Sequence, residues 1–320
     1  MFKRILVLRG GAIGDFVLTL PALKLLRAGF PSARLEILGY KHIVALAKNR
    51  FYADAARSIE YGALASFFAK GADLPSELAD YFYSFDLVIS YLFDPDRILE
   101  QNIARCGGET FLACNPRIAG GEHAAVQLAR PLEQLGLSVA SAAAQLHPTP
   151  DDQAFATSFL RDSAGPIIAL HPGSGSTAKN WPTENWWQLG ARLLEQDAPA
   201  ASLLVVGGEA DGVALSMLRT RWQDQRVRFA EDLPLPHLAA VLERCALFIG
   251  HDSGISHIAA AVGARCLLLF GATDPQVWAP ANSNVRVVRA ATHQLTDITV
   301  DEVAKAGHSI LAELAGQTTN

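Results

Sequence analysis

Short apolar runs alternate along the chain with longer segments in which apolar positions recur at helical spacing. RILVL (4–8) is the first run, of a kind buried on both sides, and 15–28 follows with helical periodicity and a stop at Gly29. ARLEILG (33–39) predicts a second strand, with a helical segment near 42–49. ARSIEY (56–61) is a third candidate strand and DLVISY (86–91) a clearer fourth. Helices are expected at about 95–105 and 122–135, the latter ended by Gly136. Strand-then-helix alternation is the pattern of parallel βαβ units.

The pattern lapses from Ala140 to Gln153 into small residues with Pro and Asp, the expected linker, with a helix at 151–162 leading onward. It then restarts. PIIAL (166–170), SLLVVGG (202–208), RVRFA (226–230), ALFIG (246–250), RCLLLF (265–270) and NVRVVR (284–289) read as strands. Helices are predicted from Thr183 as cap, between 208 and 226, near 235–244, at about 253–262 and near 300–315. The fold class is therefore α/β, with Rossmann-like domains at 1–150 and 151–320 facing a central cleft. The terminal helix is a candidate to pack back on the first domain. Open α/β sheets bind ligands at the carboxyl ends of their strands, so the loops there are the places to seek chemistry.

Composition narrows the classes. Half of the 320 residues are hydrophobic and 18% charged, enough to build a core in each half. The net charge of -5 gives no general electrostatic case for nucleic acid, so an anionic ligand has to be held by local devices. Four scattered cysteines without a C-x-x-C pair read as reduced thiols, not as a zinc site. MFKRILVLRGG has too short an apolar run for a signal peptide, and no stretch is long enough for a transmembrane helix. The expected location is cytoplasmic, with peripheral contact at the inner membrane surface.

Three loops follow strands and gather polar groups. In Arg9-Gly10-Gly11-Ala12-Ile13-Gly14-Asp15, the carboxylate of Asp15 lies near a helix start. It can cap that helix, or accept a proton from a hydroxyl nucleophile beside a backbone opened by glycine. A dinucleotide fingerprint is the rival: Gly11, Gly14 and Glu36 fit it, but Arg9 stands where the first glycine belongs. The second loop, His171 to Pro182, collects hydroxyls, glycine amides and Lys179, donors that suit a diphosphate although the loop is no Walker A. Trp181, Trp186 and Trp187 are read as packing residues.

The third loop runs from Gly250 to His257 into a helix. Asp252 or Ser253 can cap it, Gly254 permits close approach, and the first-turn amides with His257 make an anion site. Two turns carry weaker signals. Glu209 or Asp211 could bind ribose hydroxyls or merely begin a solvated helix, and Gly271 to Pro275 reads as a turn.

Together, ILVLRGGAIGDFVLTLPALKLLRAGFP, HPGSGSTAKNWP and GHDSGISHIAAAVGARCLLLFGATDP resemble glycosyltransferase family 9, the ADP-heptose:lipopolysaccharide heptosyltransferases and their relatives. The resemblance spans nearly the whole chain and is weakest over 45–120. It implies the GT-B fold and an inverting, metal-independent transfer with no cofactor beyond the nucleotide-sugar donor, ADP-heptose. Asp15 would be the general base, with Arg9, Gly11 and Gly14 in the acceptor-side loop. Ser176, Thr177 and Lys179 would hold the donor phosphates. Asp252, Ser253, Gly254 and His257 would hold the diphosphate side, with Glu209 or Asp211 on the ribose. The implied partner is a lipopolysaccharide-core glycolipid or related glycan acceptor. Many members have threonine where Ser253 stands. Two other readings stay open: a nicotinamide-dependent oxidoreductase built on the first loop, and a nucleotide-binding module without catalysis.

Overall fold

Continuous apolar runs form the strands, as expected for parallel sheets covered on both faces. The computed structural model describes residues 2–108, 110–163, 165–175 and 179–317. The chain divides into two compact units, Met1–Ala142 and Ala143–Asn320. The boundary falls within the small-residue stretch expected to be the linker.

The first unit is a parallel sheet of β1 (Arg4–Arg9), β2 (Arg34–Gly39), β3 (Ala55–Ser58), β4 (Leu87–Ser90) and β5 (Phe111–Ala113), in the order β3-β2-β1-β4-β5. Its helices are α1 (Ile13–Gly29), α2 (Lys41–Val44), α3 (Ser76–Tyr83), α4 (Ile98–Arg105) and α5 (Ala124–Ala129). Leu6, Leu8, Leu38 and Val88 pack with Phe67, Leu78, Phe82 and Leu99. Helix α1, buried from Phe16 to Leu23, packs against α5. The predicted helix over 122–135 is α5 followed by a 3₁₀ turn at Arg130–Leu135, where Pro131 interrupts the α-helical bonding.

The second unit is a six-stranded parallel sheet: β6 (Ile167–Leu170), β7 (Ser202–Gly207), β8 (Val227–Glu231), β9 (Leu247–His251), β10 (Cys266–Phe270) and β11 (Val285–Arg289). The order is β11-β10-β9-β6-β7-β8. Helices α6 (Pro150–Phe159), α7 (Thr183–Arg192), α8 (Gly212–Arg221), α9 (Leu235–Glu243), α10 (Gly254–Ala261), α11 (Pro275–Trp278) and α12 (Val300–Gln317) connect and flank them. A reciprocal Thr149–Asp152 capping box starts α6. Pro182, not Thr183, is the N-cap of α7, and it offers no side-chain cap. Helix α12 packs against α7, β9 and β10 of its own unit.

Trp181 and Trp186 meet edge to face with ring centroids 5.2 Å apart, at the centre of a core with Leu189, Leu203, Val205, Leu247 and Ile249. Their reading as packing residues holds. Trp181 Nε1–H donates to Ile298 O (2.8 Å), which satisfies its polar edge.

In both units the chain runs outward to one edge and then returns to the middle to build the other side. The order reverses between β1 and β4 in the first unit and between β6 and β9 in the second. The loops that leave those strands part at their carboxyl ends and leave a crevice, the usual ligand position in such sheets.

Removing the Trp186 indole should leave a cavity that the sheet cannot collapse into. Trp186→Ala is expected to cost about 3–5 kcal/mol, read in urea as a lower midpoint with an unchanged slope.

Candidate functional site

In the second unit, the loops leaving β6 and β9 are pinned together by one buried imidazole. His251, the last residue of β9, is wholly buried. Its Nε2 accepts from Trp181 N–H (2.8 Å) and its Nδ1 lies 3.2 Å from Gly173 O. A carbonyl only accepts, so Nδ1 carries the proton and the ring is neutral. Burial, opposed in part by the bond to Gly173 O, pushes its pKa down to about 3. One uncharged ring thus grips both ends of the loop that carries Lys179.

Lys179 Nζ lies 2.9 Å from Asp252 Oδ2, although 73 residues separate the two. The same oxygen accepts from Thr273 Oγ1 (2.8 Å), a residue of the Gly271–Pro275 turn. Asp252 is thereby turned toward its cation. A carboxylate repels an anion, so what Asp252 can offer one is an ammonium held in place, whose other protons remain for a ligand. Lys179 is 38% exposed, open enough to meet one. Ser176 and Thr177 lie outside the described residues.

Ser253 is the N-cap of α10 and its Oγ accepts from Ser256 N–H (3.3 Å). Gly254 opens the helix, and His257 is buried in the same turn. Ser256 N–H is taken by Ser253 Oγ and His257 N–H by Ser253 O, which leaves the amides of Gly254 and Ile255 without a carbonyl partner inside the helix and able to meet an anion. Ser253 Oγ also faces His171 Nδ1 at 3.3 Å, and His171 Nε2 stands 3.6 Å from Asp211 Oδ2.

Asp211 accepts from Gly208 N–H (2.9 Å) as well. Burial alone would raise its carboxyl. The contacts to His171 and Gly208 outweigh that and hold it below the ordinary range. A Cβ at Gly173 would stand 1.7 Å from Asp211 Oδ1, so only glycine admits this approach. Glu209, two residues earlier, is exposed.

In the first unit, Arg9 ends β1 and is buried at 4% exposure. Its guanidinium donates to Thr19 Oγ1 and to Asp15 O, both at 2.8 Å, and its Nη2 lies 3.7 Å from Asp15 Oδ1. Asp15 Oδ2 accepts from Ala12 N–H (2.9 Å), so the carboxylate does tie the start of α1. It stays 37% exposed and retains lone pairs for a ligand. Gly11 has φ 87°, and a Cβ there would lie 2.8 Å from Asp15 Oδ2. Gly14 occupies the first turn. Glu36 lies within β2 and accepts from Tyr81 OH (2.8 Å), away from the strand end where a ribose carboxylate belongs.

Sequence reasoning passed over His171, His251 and Thr273. The signal available was position, since each lies at or just beyond a strand's carboxyl end. Among the described residues, no group of three or more His, Cys, Asp and Glu is arranged to hold a metal ion. Among the described residues, no helix is long and apolar enough to cross a membrane. The four cysteines are free.

His251 makes stability fall with acid. Below its ordinary value of 6.5 the unfolded chain binds a proton that the native ring refuses. Its contribution is therefore lost as pH drops from 6.5 toward 3, at a limit of about 1.4 kcal/mol per unit. His251→Asn should be less stable than the parent at neutral pH, by about 1–3 kcal/mol. It should also show a shallower loss between about pH 6 and 4 in urea titrations.

The model of glycosyltransferase family 9 (heptosyltransferase) matches residues 121–306. Lipopolysaccharide heptosyltransferase 2 of Salmonella typhimurium is 27% identical over 175 residues, 48% of this chain and 49% of that protein. The chain spans about half the length of the curated relatives it matches. A family 9 glycosyl transferase of Veillonella parvula superposes with a TM-score of 0.79 at 20% identity over 97% of both chains. The ADP-heptose lipopolysaccharide heptosyltransferase II of Escherichia coli gives 0.79 at 16% identity, over 98% of this chain and 100% of that one. The two solved structures share the fold, a pair of Rossmann-like units of the GT-B kind. With its family model covering more than half of its length, the chain belongs to glycosyltransferase family 9.

Proposed function

We propose that this chain is an inverting, metal-independent glycosyltransferase that moves a sugar, heptose, from an ADP-linked donor to a lipopolysaccharide-core or related glycan acceptor. The observation that carries this reading is the meeting of Lys179 and the Asp252–Ser253 turn at the strand-order reversal of the second unit. A diphosphate needs a cation and several donors that converge. Here the ammonium, the Ser253 hydroxyl and the α10 amides beginning at Gly254 are available together, with His257 in the same turn. Relatives with the heptosyltransferase name supply the sugar.

In the proposed reaction, Asp15 takes the acceptor hydroxyl proton as that oxygen attacks the anomeric carbon. The bond from that carbon to the diphosphate oxygen breaks on the opposite side, which inverts the centre. Negative charge gathers on the leaving phosphate, where Lys179 and the α10 amides offset it. Arg9 is a positioning residue that fixes the turn around Asp15. Since Asp211 is engaged by His171 and Gly208, exposed Glu209 is the better candidate for the ribose hydroxyls. A glycolipid acceptor would bring the protein to the membrane surface. The oxidoreductase reading is disfavoured by buried Arg9 and by Glu36, which is turned to Tyr81.

Asp15→Asn should lower turnover about 10²–10⁴-fold and leave ADP affinity within about a factor of two. Lys179→Ala should instead weaken ADP about tenfold or more, from loss of a charged hydrogen bond. Transfer assays and thermal shifts with ADP check both. Undiminished turnover in Asp15→Asn overturns the mechanism, and ADP binding without any transfer by the parent would point to a binding module.

A further inference from the structure

The reaction above leaves unused a cavity of about 360 Å³ in the first unit, a size usual for small-molecule sites. It is walled by the ends of β4 and β5 and the loops that follow them, with Phe93, Asp94, Arg97, Glu100 and Asn115 among its residues. Strand β4 lies beside β1, and Tyr91 N–H bonds to Leu8 O (2.9 Å). Leu92, another wall residue, reaches the Asp15 turn: a Cβ at Gly10 would stand 3.1 Å from its Cδ2. The cavity therefore adjoins the turn that carries Asp15. Its walls all come from 90–116, inside the stretch where the resemblance to the family is weakest, so what it selects is a property of this chain.

Phe93 is 53% exposed, unusually open for so large an apolar side chain. The Arg117 guanidinium stacks on its ring, 3.8 Å from the centroid, and is not itself a wall of the cavity. It backs the ring and leaves the cavity side to a ligand. The polar walls are held just as firmly. Asp94 gives one carboxylate oxygen to Ile98 N–H (2.8 Å) and the other to Glu100 N–H (3.1 Å). Glu100 accepts twice from Arg97, at 2.7 and 2.6 Å. Arg97 makes that pair from a left-handed backbone, φ 55°, which a residue with a side chain rarely adopts. Asn115 turns Oδ1 to Arg117 N–H (3.0 Å) and keeps its amide protons.

Two carboxylates against one guanidinium make these walls a poor place for an anion. A purely apolar guest would strip water from four polar side chains, at a cost. A neutral sugar ring meets both demands. Its hydroxyls donate to carboxylates and accept from amide and guanidinium protons, while the C–H groups of its faces are drawn to the negative face of an aromatic ring. We infer that this cavity is a subsite for a neutral sugar ring of the acceptor, stacked on Phe93, and that Phe93 determines which glycans are accepted. The next residue of the same glycan then meets the Asp15 turn. This rests on the glycosyltransferase reading and deepens its acceptor side.

Saturation-transfer NMR on the full chain tests the subsite without any donor. The neutral probes are the methyl glycosides of glucose, galactose and mannose at millimolar concentration, with methyl glucuronide and methyl glucosaminide as charged controls. The expected result is transfer to the C–H protons of at least one neutral glycoside. Phe93→Ala should abolish it, and Phe93→Tyr, which keeps the ring, should retain it. Phe93 is exposed, so its truncation should spare the core. With a lipopolysaccharide acceptor, Phe93→Ala should raise KM about five- to tenfold and lower kcat by less. No transfer to any neutral glycoside from a parent that binds ADP overturns the inference and leaves the donor site standing. Equal transfer in Phe93→Ala, or transfer confined to the charged controls, does the same. Phe93-dependent binding by a parent that neither binds ADP nor transfers a sugar keeps the subsite and overturns the reaction proposed above. Failure to bind both ADP and the glycosides overturns both.

Discussion

Everything in the second unit depends on β6 and β9 lying side by side, Ile168 against Leu247 and Leu170 against Ile249. Parallel neighbours need long crossovers, and here the chain builds β7 and β8 on one side before it returns. The return brings two loops, remote in sequence, to one edge. His171 N–H bonds to Ile249 O (2.9 Å), so the register of the two strands sets the first residue of one loop beside the end of β9, from which the other loop leaves. The positions of Lys179, Asp252 and Ser253 follow from that pairing.

Charge is handled in the same way in both units. Lys179 has Asp252, Arg9 has Asp15, and His171 has Asp211. Each of these three side chains is oriented by a carboxylate within its own unit. The carboxylates lower the net attraction for an anion, but they fix direction, and an oriented donor loses less freedom when a ligand arrives. Where a charge would be too costly, at the floor of the site, His251 does the orienting as a neutral ring.

Much of this was legible in the sequence. The apolar runs located ten of the eleven strands among the described residues, because strands buried on both faces leave a continuous signal. Strand β5 escaped because three residues carry no periodicity, and α3 because eight residues with Leu78 and Phe82 inward give little. Glycine and hydroxyl-rich loops after strands marked Asp15, Lys179 and the Ser253 turn. What the residues could not convey was partnership. That Asp252 faces Lys179, or that His251 reaches Gly173 O and Trp181 N–H, depends on strand order, which local patterns do not encode. Asp211 and Glu209 were indistinguishable until Gly173 was seen to make room for one of them.

The reversal of strand order also has a consequence during synthesis. The first unit ends at Ala142, so its sheet can close while the rest of the chain is still being translated. Strand β6 fares differently, since its partner β9 is not made until residue 251. Through that interval one edge of the four-residue β6 is unpaired. The feature that later creates the crevice thus also leaves the middle of the second sheet uncovered until β9 is made.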